Sequence, residues 1–348
     1  MSSLRAALIL LSAMSITGSA LIFQTKADEV ADFYRGKSIT LTIPSGPGGG
    51  YDLYARFLAR FLGKHIPGTP TLVAKNVPGA GGLLAANRLF SIESADGLTL
   101  GGLQYTVPLN QLIGTANISF DVRKFQWIGS MNTSPTICAF SGKAKELEGK
   151  DLFKNEVVLG AAGGSVLMIP LLLKNLAGMS FKVVSGYQST SNVQLAMESG
   201  EVQGICGWAW DGARVNAKDM LARGVAKIML DIGNQPSQEL KERGVPFLMD
   251  LLPDDERKTI LRMILSTQDY SRPFAFPPGV PQARVNAVRR AFSDTLNDPE
   301  FQAEAKRLGL AMEYLSAEQI GVLIGSVFNA PPKLRARAAD ELKKAGFQ

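Results

Sequence analysis

The chain has one histidine, His65, and two cysteines, Cys138 and Cys206, in 348 residues. No four-ligand metal set can be assembled from so few soft ligands so far apart, and any Ser/His or Cys/His catalytic pair would have to use His65. His65 stands before Ile66, Pro67 and Gly68, in a loop leaving a helix, where a solvated histidine is the ordinary outcome. The cysteines lie in apolar strand-like runs, 135–140 and 202–210. In an oxidising compartment they can pair or stay as buried thiols, and spacing alone leaves both open. A Gly-x-Ser-x-Gly elbow is also missing. The Walker pattern has Ala31 where its first glycine belongs, ahead of Gly36-Lys37-Ser38, and the dinucleotide fingerprint breaks at Tyr51 and at Leu84. Hydrolysis and nucleotide binding thus lack their residues. No cofactor is expected, and the chain does not read as an enzyme.

Long apolar runs are scarce too. Arg5 precedes an apolar stretch over 6–14, but Ser12, Ser15, Thr17, Gly18 and Ser19 keep it well short of the ~20 residues a membrane span needs. Residues 1–27 therefore read as a cleaved secretory signal, cut near Ala27, with no cysteine there to carry a lipid. A soluble periplasmic protein of about 320 residues is expected, enough for two lobes. With 46% hydrophobic and 20% charged residues it is globular. The formal charge of +6 suits an anionic ligand, yet the basic residues are scattered rather than interleaved with aromatics, so nucleic acid is not an expected partner.

What the chain does have is alternation. Short β-branched or apolar runs at 39–43, 72–75, 98–103, 127–130, 136–140, 157–160, 182–185, 202–208 and 226–231 are separated by helical stretches and Gly/Pro turns, which argues for an α/β protein with largely parallel sheets. Several loops after these strands are rich in glycine or small polar residues: PSGPGGGYD (44–52), NVPGAGG (76–82), QYTVP (104–108), GAAGGS (160–165) and GYQSTSN (186–192). In open α/β sheets ligands bind beyond the carboxyl ends of the strands, so these loops can converge on one cleft. The first joins a strand to a helix in which Asp52 is the expected N-cap and Leu53, Phe57, Leu58, Phe61 and Leu62 form an apolar stripe. A glycine-dense loop at a helix N-terminus presents bare amides to an anion. In GICGWAWDG (204–212), Trp208 and Trp210 share a face if the strand continues. That face is either core or a cleft wall with Asp211 beside it.

IPSGPGGGYDLYARFLARFL, followed by VAKNVPGAGGLLAANRLF, strongly resembles the extracytoplasmic receptors of tripartite tricarboxylate transporters, the Bug family. Pro44, Gly48, Gly49, Asp52, Ala55 and Arg56, then Asn76, Pro78 and the run Gly79, Ala80, Gly81, Gly82 match that family's pattern. The resemblance implies a type II periplasmic binding protein, with two α/β lobes joined by hinge strands and closing on a small carboxylate. It implies delivery to a permease with large and small membrane subunits. The expected division is a first lobe over 28–127, a second over 128–231, and a return to the first lobe with C-terminal helices over 232–348; a monomer is expected. Carried over, the ligand contacts are Ser45, Gly46, Gly49, Gly50 and Asp52, with Tyr105 and Thr106 nearby, and from the second lobe Gly163, Gly164, Ser165, Tyr187 and Ser189; Trp208 and Asp211 join them as a cleft wall. Backbone amides and hydroxyls suffice in this scheme, and no buried arginine is required. Where many members carry a histidine after the second-lobe glycines, this chain has Leu167, Met168 and Ile169, and Ser185-Gly186-Tyr187-Gln188 replaces Tyr-Lys-Gly. These departures leave the identity of the acid open. The rivals are an input module for a sensor kinase and an enzyme that brings His65 into the cleft.

Overall fold

The computed structural model describes residues 29–252 and 255–345; the expected signal segment lies outside the described residues. Period-two patterning sets the first strand, β1 (Ser38–Ile43). Its Ile39, Leu41 and Ile43 are fully buried against Tyr54, Phe57, Leu58, Phe61 and Leu62 of the helix Gly50–His65. Each such side chain contributes about 1.5–3 kcal/mol on burial. The stripe therefore outweighs any single cap, worth about 1 kcal/mol, in holding this helix. Arg56, Arg60 and Lys64 run along its outer face, each about half exposed.

Strands β2 (Thr71–Asn76) and β3 (Thr99–Gly102) flank β1 in parallel. The sheet continues through β10 (Pro273–Phe276), β4 (Gln126–Ser130) and the short β11 (Leu315–Ser316), in the order β11-β4-β10-β3-β1-β2. A second sheet runs β7-β6-β8-β5-β9, from β5 (Thr136–Ser141), β6 (Val157–Ala161), β7 (Phe181–Ser185), β8 (Gly204–Ala209) and β9 (Ala226–Ile232). β5 is buried on both faces: Ile137 and Ala139 join one core, Cys138 and Phe140 the other. Cys138 and Cys206 are register partners on β5 and β8 and form a disulfide.

The sheets are mixed rather than largely parallel as the alternation predicts: among the described residues four strand pairings are parallel and five antiparallel, the latter all made by β5, β10 or β11. β5 is antiparallel to β8 and β9, and β10 to β3 and β4. Both are the first strand after the chain crosses from one sheet to the other. A strand entered from the cleft starts where its neighbours end, so it must run the opposite way. The two crossings lie side by side, tied by the Ser271 N–H to the Asn132 carbonyl (3.0 Å) and the Met131 N–H to the Arg272 carbonyl (3.2 Å). The segment after 232 does not simply return to the first sheet. Helices Asp255–Leu265 and Pro332–Lys344 bring Ile260, Leu261, Ile264, Leu265, Ala338 and Leu342 into the core on the Cys138/Phe140 face of the second sheet, because that face needs an apolar cover.

Near the end of β9, Asp231 is buried, and its carboxylate accepts the N–H groups of Gly233 (3.0 Å) and Ser237 (2.8 Å). Burial pushes its pKa up to about 6, the two N–H donors opposing. The folded protein then holds this proton more tightly than the unfolded chain, so the contribution is present at low pH and is lost as pH rises through about 6. Asp231→Asn should flatten the fall in stability between about pH 4 and 6 by up to about 3 kcal/mol. Unfolding midpoints of both proteins across that range measure it; identical profiles would contradict the assignment.

Candidate ligand-binding cleft

The loop after β1 is held by a side chain that does not cap the helix. Gly49 occupies the N-cap and Asp52 is the third helical residue, one turn later than sequence reasoning placed it. Asp52 accepts hydrogen bonds from the Gly48 N–H (3.0 Å), Arg56 Nε (2.9 Å) and Asn76 Nδ2 (2.8 Å), and Asn76 Nδ2 also donates to the Ser45 carbonyl (2.9 Å). Its carboxylate is thus spent folding the loop onto the helix, not facing a ligand. The helix start carries no side-chain cap and stays open.

That start opens on a cavity of about 50 Å³ between the lobes. Eight of the expected contacts line it: Ser45, Gly49, Gly50 and Tyr105 from the first lobe, and Gly163, Ser165, Ser189 and Trp208 from the second. The other six sit elsewhere. The Gly46 N–H donates to the Gln188 carbonyl across the cleft (3.3 Å), Thr106 is fully buried, and Gly164 forms the N-cap of the helix Ser165–Leu172. Tyr187 turns outward to Glu201 (2.6 Å). Asp52 is in the loop lock, and Asp211 lies behind the wall. The lobes touch directly: Ser191 Oγ and Asn216 Nδ2 both donate to the Gly48 carbonyl (2.6 and 3.1 Å). At Gly81 a Cβ would stand 2.9 Å from the Gly164 nitrogen, so only glycine lets the second loop approach this closely.

The lining is arranged for an anion. Two helices, Gly50–His65 and Ser165–Leu172, begin there without side-chain caps, leaving first-turn N–H groups without intrahelical acceptors and adding the positive ends of two dipoles. Three further donors on the lining are buried and have no partner: Tyr105 Oη, Thr190 Oγ1 and Arg272 Nε. Buried polar groups are ordinarily paired, so three together mark a site built for something to accept from them.

Arg272 is the residue sequence reasoning missed. It is 2% exposed and donates through Nη2 to Asp211 Oδ1 (2.7 Å) and through Nη1 to the Ser271 carbonyl (3.0 Å). Its guanidinium lies 4.7 Å from the Tyr51 ring centre and 5.1 Å from that of Tyr54. Burial opposes its charge, but Asp211 and the surrounding tyrosines hold it above the ordinary arginine range. Burial also pushes the Tyr51 hydroxyl up to about 12, against the pull of Arg272, so it stays a neutral donor. Asp211 is further held by Asn132 Nδ2, Ser134 Oγ (3.0 Å) and the Gly212 N–H (2.7 Å). In sequence Arg272 merely heads a proline-rich crossing, and its one hint is a lone cation next to the strand Pro273–Phe276. Gln104, Gln188 and Thr190 also line the cavity; they lie in loops singled out above but were not picked.

The two tryptophans divide. β8 ends at Ala209 and Trp210 opens a helix, so they do not share a sheet face. Gly207, at φ +74°, kinks β8 just ahead of Trp208; both tryptophans join one core cluster, but Trp208 also lines the cavity, while Trp210 sets its Nε1 on Glu239 (2.9 Å). His65 is the last residue of its helix, 2.9 Å from Asp298, and takes no part in the cavity. Among the described residues no cluster of His, Cys, Asp and Glu is placed to hold a metal ion.

Two α/β lobes, paired crossings and a donor-lined cavity between them define a type II periplasmic binding protein fold. Solved structures share it. MatC from Rhodopseudomonas palustris, with bound malate, is 19% identical, with 88% of this chain and 99% of MatC covered at a TM-score of 0.66. An R. palustris protein solved with adipate is 16% identical over 89% of this chain and 98% of its own, at 0.67. The periplasmic binding protein BugD is 18% identical over 90% of this chain and 99% of its own, at 0.69. No protein-family model matches the sequence, and no curated protein matches it. The fold implied by the resemblance is the fold found.

Proposed function

We propose that the chain is an exported solute receptor of the Bug type, which captures a small organic carboxylate by lobe closure and hands it to a tripartite transporter with large and small membrane subunits. The observation that carries this reading is the convergence of two uncapped helix starts and three unpartnered buried donors on one inter-lobe cavity. Charge-assisted hydrogen bonds contribute roughly 1.5–3 kcal/mol each, so three or four supply the ~8 kcal/mol of micromolar binding with a margin for closure. The ligands of the solved relatives, malate and adipate, are of this class. Export is supported by the leader pattern, and among the described residues no helix is long and apolar enough to cross a membrane. The paired crossings at 131–135 and 266–272 serve as the hinge. A receptor is favoured over an enzyme because His65 is tied to Asp298 outside the cavity.

A thermal-shift screen against mono-, di- and tricarboxylates, aromatic acids and amino acids tests the reading. A ligand at a hundred times its Kd adds about 2.7 kcal/mol of stability, several degrees for a chain of this size. No shift with any carboxylate would remove the proposal.

A further inference from the structure

We infer that the ligand is a monocarboxylate with an uncharged, partly apolar tail, its carboxylate in the inner cavity and its tail in a second chamber beside it; this rests on the carboxylate-receptor reading above. The inner cavity, about 50 Å³, is the smaller and more enclosed of the two and carries the unpartnered donors, so it takes the carboxylate end. It shares Ser45, Gln104, Ala162, Gly163 and Gln188 with a more open chamber of about 350 Å³. A ligand anchored in the first can extend into the second.

The second chamber contains nothing that would hold another negative charge. Its walls are Pro44, Pro78, Ala80, Leu167 and bare glycine backbone, with neutral polar groups from Gln104, Gln188 and Ser185, and no Lys, Arg, His, Asp or Glu lines it. Tyr187, on its wall, has its hydroxyl engaged by Glu201 (2.6 Å), which lies outside the lining. In the inner cavity the one cation, Arg272, is already balanced by Asp211 at 2.7 Å. The attraction left over comes from two helix starts, each equivalent to about half a positive charge. That matches one carboxylate. A second would shed its hydration in the chamber against prolines, a leucine and amides, with no cation to compensate.

Isothermal titration with acids matched in length and differing by one terminal carboxylate tests this, starting with hexanoate against adipate and benzoate against terephthalate. The strongest binder of the wider screen is titrated beside its analogue with one carboxylate more or fewer. The monoacid should bind at least tenfold more tightly. A diacid that binds equally or better overturns the inference and leaves the receptor reading standing, whereas silence from every carboxylate removes both. Leu167→Arg, on the chamber wall, should reverse the preference toward the diacid, with Gln188→Lys as a second variant. An unchanged preference in folded variants would show that the tail does not occupy this chamber.

Discussion

Arg272→Met should destabilise the protein by about 3–5 kcal/mol, because it strands the Asp211 carboxylate in the interior without its cation. For a chain of this size that is a fall of about 5–7 °C in Tm. Arg272 and Asp211 are both 2% exposed and stand 2.7 Å apart, at the place where the two lobes meet: Arg272 ends the return crossing, and Asp211 is the second residue of the helix after β8. Removing both charges together, as Asp211→Asn with Arg272→Met, should recover more than half of the loss. The cost of the single variant is an uncompensated charge, and the net worth of a buried pair is small. Denaturant unfolding of wild type, both single variants and the double closes the cycle. A double variant as unstable as Arg272→Met alone would mean that Arg272 acts through packing on Tyr51 and Tyr54, not through Asp211.

Gly49→Leu should abolish ligand binding, by at least a hundredfold, while moving Tm by no more than a few degrees. Gly49 sits at φ −81°, open to any residue, so a side chain there strains no backbone and costs the first lobe only glycine's modest advantage at an N-cap. The side chain would project across the cleft, where a Cβ alone already stands 3.4 Å from Thr190 Oγ1 and 3.8 Å from Ser189 Cβ. Gly49→Ala makes only those ordinary contacts and should cost far less. The graded pair separates a blocked cleft from a damaged fold, since only the larger side chain fills the cavity. Titration with the strongest carboxylate from the screen, alongside circular dichroism melts, reads both quantities. Wild-type affinity in Gly49→Leu would move the site away from this loop.

Much of the fold was legible because its determinants are local. The strand at 39–43 and the helix stripe of Phe57, Leu58, Phe61 and Leu62 depend on a few neighbouring residues and came out as read, while Leu53 is only partly buried and Tyr54 takes its place. The errors share a cause of another kind. Asp52 matched the chemistry of an N-cap, but a partner 24 residues away, Asn76, drew its carboxylate elsewhere. Trp208 and Trp210 matched a strand, but Gly207 kinks it and the strand stops between them. Helices from the end of the chain cover the second sheet for a reason written on β5, not on themselves.

The sequence by itself determined the α/β class, the glycine loops and the chemistry of neutral donors around an anion, since composition, periodicity and missing histidines act residue by residue. Only the tertiary structure decided which of those donors meet. It turned Asp52 away, moved Tyr187 to the outer chamber, drew Gln104 and Thr190 in, and set Arg272 against Asp211, residues 61 apart in the chain. A buried ion pair costs free energy until the two charges touch. Such a pair exists only where the whole fold has closed, and no pattern along the chain announces it.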